Sequence, residues 1–250
     1  RILTYLILIV LALVALWRNL VSGPVFAVII AIICLVDLWQ YNRLFFDTEQ
    51  FKGKYQFEYP FDKTSQDKII QKDKSTYRVF EPRLGFSSSR AAYFHNSLGG
   101  YHGAKPALLQ DVYDFYLYKQ DSAVLDMLNV KFIIDDQYAD GVGKRQSSLG
   151  PVWLVDEVIQ VANANEAILK LNQIDPKIQA ISQTLKSTSY TSSANDNISL
   201  IEKQNNFLRY SVSTSNERLA VFSDMYYPNG WSLFIDGELQ SYHKVNYMLR

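Results

Sequence analysis

The chain opens with two apolar runs that contain no charged residue, residues 2–17 and 24–36. At a rise of about 1.5 Å per residue, each run covers roughly 20–25 Å as a helix, which approaches the thickness of the hydrocarbon core of a bilayer. After about Tyr41 the chain becomes polar. The pattern therefore predicts a transmembrane helical hairpin over residues 1–41, followed by a water-soluble part.

The connection between the two runs, residues 18–23, is short enough to make the predicted helices antiparallel neighbours. Ser22 suits a helix N-cap, and Pro24 falls in the first turn, where its missing N–H costs nothing. A secretory signal peptide is the alternative for residues 2–17, although no small-x-small cleavage site follows that run. Because the chain begins with Arg1 and ends inside a strand-like segment, we expect it to be a fragment of a longer protein.

A small α/β layer is predicted within the next part of the chain, residues 42–181. Its elements are a strand at 76–80, helices at 105–118 and 122–128, and a strand at 130–134. Strand and helix patterns alternating over such a short stretch favour helices packed on a sheet.

The segments around this layer are less regular. Residues 47–75 show no sustained period and predict a linker with a short helix near 67–72. Residues 87–105 carry small residues and a Gly-Gly pair, which predict a loop. Further on, residues 152–161 predict a strand and residues 165–171 a helix.

From Ile198 onward, apolar and polar positions alternate with a period of two. Strands are predicted at 198–202, 207–212, 218–223, 231–236 and 239–245, and Asp236-Gly237 is a two-residue turn signal. Strands at this spacing predict an antiparallel β-sandwich over residues 182–250, which the end of the chain would leave incomplete. The predicted fold class is thus α+β, with a transmembrane hairpin, a small α/β layer and a truncated sandwich.

Composition narrows the function classes. The chain has 25 basic and 25 acidic side chains, so it lacks the positive field that draws a protein to nucleic acid, and no nucleic-acid partner is expected. Its single cysteine, Cys34, lies in the second apolar run. Cysteine-based catalysis and a thiolate zinc site are therefore excluded for the soluble part, and no cofactor is expected.

Few residues suggest chemistry by themselves. His95 and His102, with Asp111 downstream, do not match a recognised zinc spacing, so no metal site is predicted. Trp231 has two interpretations. It begins a predicted strand whose alternate positions, Leu233 and Ile235, would face the core with it, or its ring stacks on a sugar; we favour the core.

Four segments carry a resemblance to a known family. Residues 226–237 read YYPNGWSLFIDG, residues 245–250 read VNYMLR, residues 96–105 read NSLGGYHGAK, and residues 125–134 read LDMLNVKFII. In order and spacing they resemble the C-terminal signature of the YfhO-like bacterial membrane proteins, apart from one extra residue, Asn229, between Pro228 and Gly230. The resemblance covers about residues 35–250.

The resemblance implies a multi-spanning protein of the bacterial inner membrane with a GT-C-like glycosyltransferase architecture and an extracytoplasmic soluble domain. Its partners would be membrane lipid, a polyprenyl-phosphate-linked sugar as donor and a cell-envelope glycan as acceptor. The catalytic acid of such enzymes lies on a loop near the start of the membrane domain, so no catalytic residue is assigned here. Tyr101, His102 and Lys105 are the candidate substrate-binding residues. A non-catalytic glycan-binding or assembly module of a membrane complex is the alternative.

Overall fold

The computed structural model describes residues 2–46 and 51–250, with the side chain of Ile2 left out. The chain divides into two compact units, Arg1–Asp62 and Lys63–Arg250. The start of the predicted linker, residues 47–50, lies outside the described residues. The domain boundaries predicted at 41/42 and 181/182 stay predictions.

The first unit contains two long apolar helices, α1 (Ile2–Trp17) and α2 (Gly23–Asn42), and a short helix, α3 (Lys54–Glu58). Tyr5 of α1 donates a hydrogen bond of 3.0 Å from its hydroxyl to Oε1 of Gln40 in α2. The start of α1 therefore lies beside the end of α2, as two antiparallel helices require.

The apolar side chains of this unit remain largely exposed, and α2 has no buried residue. With 20 residues and a mean hydropathy of 2.1, α2 alone among the described helices is long and apolar enough to cross a membrane. α1, with 16 residues, is shorter. Length and composition qualify α2 as a candidate span, although a signal sequence near an N-terminus meets the same criteria.

The helices of the second unit are short. They are α4 (Ser65–Ile70), α5 (Ser89–Phe94), α6 (Ala107–Phe115), α7 (Ser122–Met127) and α8 (Ala164–Lys170), and all but α6 follow a side-chain cap. Asp121 and Asn163 accept hydrogen bonds from backbone N–H groups in the first turns of α7 and α8. The predicted helices are present, whereas the loop prediction for 87–105 is wrong at α5, which begins after a Ser88 cap.

The strands of the second unit form several small sheets. They are β1 (Arg78–Phe80), β2 (Val130–Ile134), β3 (Val142–Lys144), β4 (Val152–Val155), β5 (Glu157–Gln160), β6 (Gln179–Ser182), β7 (Thr188–Ser189), β8 (Asn197–Lys203), β9 (Leu208–Ser213), β10 (Leu219–Phe222), β11 (Leu233–Ile235) and β12 (Glu238–Gln240). β2 pairs in parallel with β1 and antiparallel with β3. β5 pairs in parallel with β6 and antiparallel with β7.

The remaining strands form antiparallel pairs, β4 with β10, β8 with β9, and β11 with β12. The predicted strands after Ile198 therefore exist, although β11 and β12 are shorter than predicted. Because they lie in separate two-stranded ladders, and β10 pairs with β4 from the preceding part of the chain, the two facing sheets of a sandwich stay a prediction. The coarser prediction, a mixed α and β fold, is confirmed.

A continuous core runs through the second unit from Phe80 to Leu249. It includes α6 and α7, and it also includes the last residues of the chain, since Val245, Met248 and Leu249 are buried. The C-terminal segment 245–249 is thus an integral part of this core. Residues from both sides of the predicted 181/182 boundary contribute to it.

The prediction that Trp231, Leu233 and Ile235 share a buried face is wrong. Trp231 is half-buried and precedes β11, and Ile235 is 56% exposed. Within the described part of the chain β11 pairs with β12 alone, and Phe234, Ile235 and Leu239 of this ladder are all more than half exposed, so no second sheet covers it. A period of two shows that a strand has two faces, but it does not show that either face is covered.

Candidate functional site

The loop that holds the predicted binding residues begins at a close contact between two backbone segments. A Cβ on Gly99 would collide with the carbonyl oxygen of Gly85, and Gly85 itself has a φ of +49°. Only glycine fits a left-handed position and a backbone approach of this kind without cost. The close approach of Gly85 and Gly99 therefore fixes the start of the loop that carries Tyr101 and His102.

The three predicted binding residues lie on this loop but make no site together. Tyr101 is 81% exposed and His102 is exposed, whereas Lys105 is half-buried with its Nζ 3.8 Å from the ring centroid of Phe86. Among the described residues, no hydrogen bond, ion pair or ring contact joins the three. Tyr101 and His102 are free to touch a ligand, while the ammonium of Lys105 already has an aromatic partner.

The residues considered for a metal have separate environments. His95 Nε2 lies 2.9 Å from Oδ1 of the buried Asp67, and Asp111 accepts a hydrogen bond of 2.6 Å from the Tyr247 hydroxyl. His102 is on the exposed loop. Within residues 2–46 and 51–250, no group of three or more His, Cys, Asp or Glu side chains has a metal-binding arrangement.

A cavity of about 310 Å³ elsewhere in the second unit collects more polar groups than this loop. We call it the polar cavity. Its wall combines charged, amide and aromatic residues from β1, the β8–β9 hairpin and several loops; they include Arg78, Asn96, Asn129, Lys203, Asn205, Tyr210, Asp224 and Trp231. Its volume falls at the lower end of the range for small-ligand sites.

A network of two arginines and one carboxylate supports this cavity. Arg78 Nη2 donates to Oδ1 of Asp224 at 2.9 Å, and Arg250 Nη2 donates to Oδ2 at 3.1 Å. Arg78 Nη1 also donates to the carbonyl oxygens of Leu128 and Ser223, both at 2.9 Å. Because the Asp224 carboxylate is paired with two guanidinium groups, it fixes the wall of the cavity.

Tyr210 adds a buried hydroxyl to this wall. Its oxygen has no hydrogen-bond partner among the described residues. Burial, together with the nearby charge of Asp224, raises the pKa of Tyr210 to about 12 against the opposing effect of Arg250 and Arg78. The phenol is therefore neutral at physiological pH and cannot serve as a general base there.

Other side chains of the polar cavity remain available to a ligand. The side chains of Asn96, Lys203 and Asn205 make no hydrogen bond or ion pair within the described part of the chain, and all three are exposed. Amide and ammonium groups of this kind are suited to the hydroxyl oxygens of a polar ligand.

Trp231 connects the polar cavity to a second, more open cavity of about 410 Å³. We call the second one the aromatic groove; it is lined by Tyr226, Pro228, Trp231, Leu233, Leu239, Gln240 and Tyr242 among others. The Arg250 guanidinium lies 3.9 Å from the centroid of the Trp231 ring. The Tyr242 hydroxyl donates to the carbonyl oxygens of Tyr227 and Trp231, both at 3.2 Å, and so fixes the backbone beside the ring.

The segments that carry the family resemblance have structural roles here. Asn246 is fully buried, and its Oδ1 accepts a hydrogen bond of 2.9 Å from the Ile181 backbone. Asn129 is buried with a φ of +56°, and its Nδ2 donates to the carbonyl oxygen of Thr76 at 3.0 Å. Asparagine tolerates a left-handed φ better than most residues. Asn246 and Asn129 therefore stabilise the fold, and only the exposed residues of these segments are accessible to a ligand.

The sequence did not reveal Arg78, Tyr210 or Asp224 as residues of one cavity. Arg78 and Asp224 are 146 positions apart, so spacing could not join them. The available signal was a charged residue at each end of an apolar strand pattern, Arg78 before Val79 and Asp224 shortly after β10. A half-buried charge at such a place needs a partner.

Comparisons with models of protein families, with curated proteins and with solved structures give no match to this chain.

Proposed function

We propose that this chain is a membrane-anchored protein whose domain, Lys63–Arg250, binds a glycan outside the cytoplasm. The observation that carries the proposal is the polar cavity with Trp231 on its wall, because sugars offer both hydroxyl groups and apolar ring faces. Amide and charged side chains bind the hydroxyl groups, and an aromatic ring covers the apolar face. The cavity contains both kinds of group.

The proposal extends to the remainder of the chain. α1 and α2 form a hairpin in the bacterial inner membrane, supported by their exposed apolar side chains and by the hydrogen bond between Tyr5 and Gln40. In water, an unburied apolar surface of this size would be unfavourable. The strands β8 to β10 belong to a sandwich-like C-terminal part.

The resemblance to the YfhO-like family supports a place for this domain in a GT-C-like glycosyltransferase. There the domain holds a cell-envelope glycan acceptor, while a polyprenyl-phosphate-linked sugar is the donor and the catalytic acid belongs to the membrane domain. The exposed Tyr101 and His102 offer a second contact surface for the same acceptor.

A non-catalytic glycan-binding or assembly module is the second candidate. It needs no catalytic group in this domain, and the carboxylate that lines the polar cavity, Asp224, is held by Arg78 and Arg250. Both candidates assign the same task, glycan binding, to this domain.

Glycan binding is tested on the full chain in a detergent without a sugar headgroup, screened against a glycan array. We expect at least one glycan to be retained, and Trp231→Ala to weaken its binding about tenfold or more, a loss of about 1.4 kcal/mol or more. Tyr118→Ala removes an exposed aromatic ring that lines neither cavity, and serves as the matched control. Retention of no glycan by the folded parent chain would contradict the proposal.

Membrane anchoring and sidedness are tested with a new thiol at Ser147, an exposed loop position. In a Cys34→Ala background, we expect the Ser147→Cys chain to sediment with membranes and to react with an impermeant thiol reagent in intact cells whose outer membrane is permeabilised. The Cys34→Ala chain without the Ser147 substitution is the control. It should not react, because Cys34 is the single cysteine of the sequence and its replacement leaves no thiol. Recovery of the chain in the soluble fraction, or labelling only after lysis of the inner membrane, would refute this arrangement.

A further inference from the structure

The polar cavity and the aromatic groove have one residue in common, Trp231, which lines both. Two cavities that share a wall residue are neighbours, so a chain-like ligand that passes Trp231 occupies both. A single sugar unit seated in one cavity would leave the lining of the other unused.

The two cavities differ in charge. The polar cavity is lined by Arg78, Lys203 and Asp224, whereas the residues lining the aromatic groove carry no charge. Among these, the guanidinium of Arg78 is paired with the carboxylate of Asp224, so these two lining charges compensate each other.

Lys203 adds a second positive charge at the polar cavity. Its side chain has no ion pair within the described part of the chain. The acidic residue beside it in the sequence, Glu202, does not compensate it, since Glu202 is paired with Arg209 at 2.7 Å. The polar cavity therefore has a net positive charge and attracts an anionic group.

We infer that the glycan bound by this domain is an acidic oligosaccharide that spans both cavities, with an acidic sugar unit in the polar cavity and a neutral unit against the aromatic groove. The acidic group is a carboxylate, a phosphate or a sulfate on the sugar, because all three are oxyanions that Arg and Lys bind. This inference rests on the proposed glycan binding and adds to it the charge and the minimum length of the ligand.

The test uses the full chain in the same detergent and an array that carries acidic oligosaccharides, their carboxyl-reduced counterparts, phosphorylated and sulfated oligosaccharides, and the constituent monosaccharides. We expect acidic oligosaccharides of two or more units to be retained about tenfold more tightly than the uncharged counterparts and the monosaccharides. The preference should weaken as salt is raised, because the cavity is open to solvent and its charges are screened. The class of acidic sugar that binds identifies the oxyanion.

Two variants at exposed positions separate the two cavities. Lys203→Gln should lower affinity for acidic oligosaccharides severalfold more than affinity for neutral ones, and Gln240→Ala should lower affinity for oligosaccharides more than affinity for monosaccharides. Lys186→Gln changes an exposed lysine that lines neither cavity and is the matched control.

The results of these binding experiments separate the inference of an acidic, two-cavity ligand from the more general proposal of glycan binding. Equal retention of neutral and acidic oligosaccharides would contradict the claim that the ligand is acidic. Equal retention of monosaccharides and oligosaccharides would contradict the claim that the ligand spans both cavities. Glycan binding itself would stand in both cases. If the folded chain retains no glycan of any kind, glycan binding and this inference both fall.

Discussion

Replacing Asp67 by Asn is expected to lower the free energy of unfolding of the second unit by about 3 kcal/mol. Asp67 is fully buried at the N-terminus of α4, where its carboxylate accepts hydrogen bonds from Thr64 and Arg90 and lies 2.9 Å from His95. Breaking a buried ion pair by removing one partner costs about 3–5 kcal/mol, and the partial exposure of Arg90 places the expectation at the lower end. Chemical denaturation of the parent and variant chains measures the difference.

The pH dependence of this difference gives a second readout. Burial raises the pKa of Asp67, but the hydrogen bonds from Thr64, His95 and Arg90 outweigh it and hold the pKa below its usual value. Because the folded pKa lies below the unfolded one, the stabilisation is complete above about pH 4 and is lost as the pH falls through the folded pKa. The difference between parent and Asp67→Asn should therefore shrink in acid. Asp140→Asn, at an exposed position, is the control, and an equal effect of both substitutions would show that Asp67 has no special role.

Replacing Leu249 by Ala is expected to lower the free energy of unfolding by about 3 kcal/mol. Leu249 is fully buried in the core, and its backbone forms hydrogen bonds with Val245 at both ends of a tight turn. Truncating a buried leucine removes apolar burial and leaves a cavity, which costs about 2–5 kcal/mol. The same denaturation measurement applies.

Leu239→Ala is the matched control for this substitution. Leu239 is 68% exposed in β12, so its truncation should change the stability by less than about 0.5 kcal/mol. If Leu249→Ala were as mild as Leu239→Ala, the C-terminal segment would not be part of the core, and its resemblance to a family signature would need a functional explanation instead.

The local elements of this fold were predictable because each depends on residues close in sequence. Alternation of apolar and polar residues located β8 and β9, and the helices predicted at 122–128 and 165–171 correspond to α7 and α8. The short helix α5 was missed because its six residues give too little periodicity to separate a helix from a loop.

The pairing of strands that are far apart in the sequence was not predictable, because a local pattern does not determine which strand is the partner. β10 pairs with β4, whose residues precede it by more than sixty positions, and an alternating pattern would fit many partners equally well. The predicted sandwich assumed that neighbouring strands in the sequence cover one another. In the structure, the ladder of β11 and β12 is left open, and this places Trp231 on the walls of two cavities.

The candidate site was predictable only in its chemical type. An aromatic ring beside a turn had two interpretations, and nothing in the sequence could decide between a core residue and a sugar platform for Trp231. The polar cavity around it depends on Arg78 and Asp224, which are joined only by the fold. The loop residues Tyr101 and His102 were correctly placed on an accessible loop, but whether they bind a ligand stays a prediction.

The most direct test of a glycan-binding domain is the affinity of the parent chain and of Trp231→Ala for the same retained glycan, measured alongside the thermal unfolding of both. We expect an affinity loss of about tenfold or more in a variant that still unfolds cooperatively, with Tyr118→Ala binding like the parent. Unchanged affinity in the folded Trp231→Ala chain would show that the glycan does not bind at Trp231.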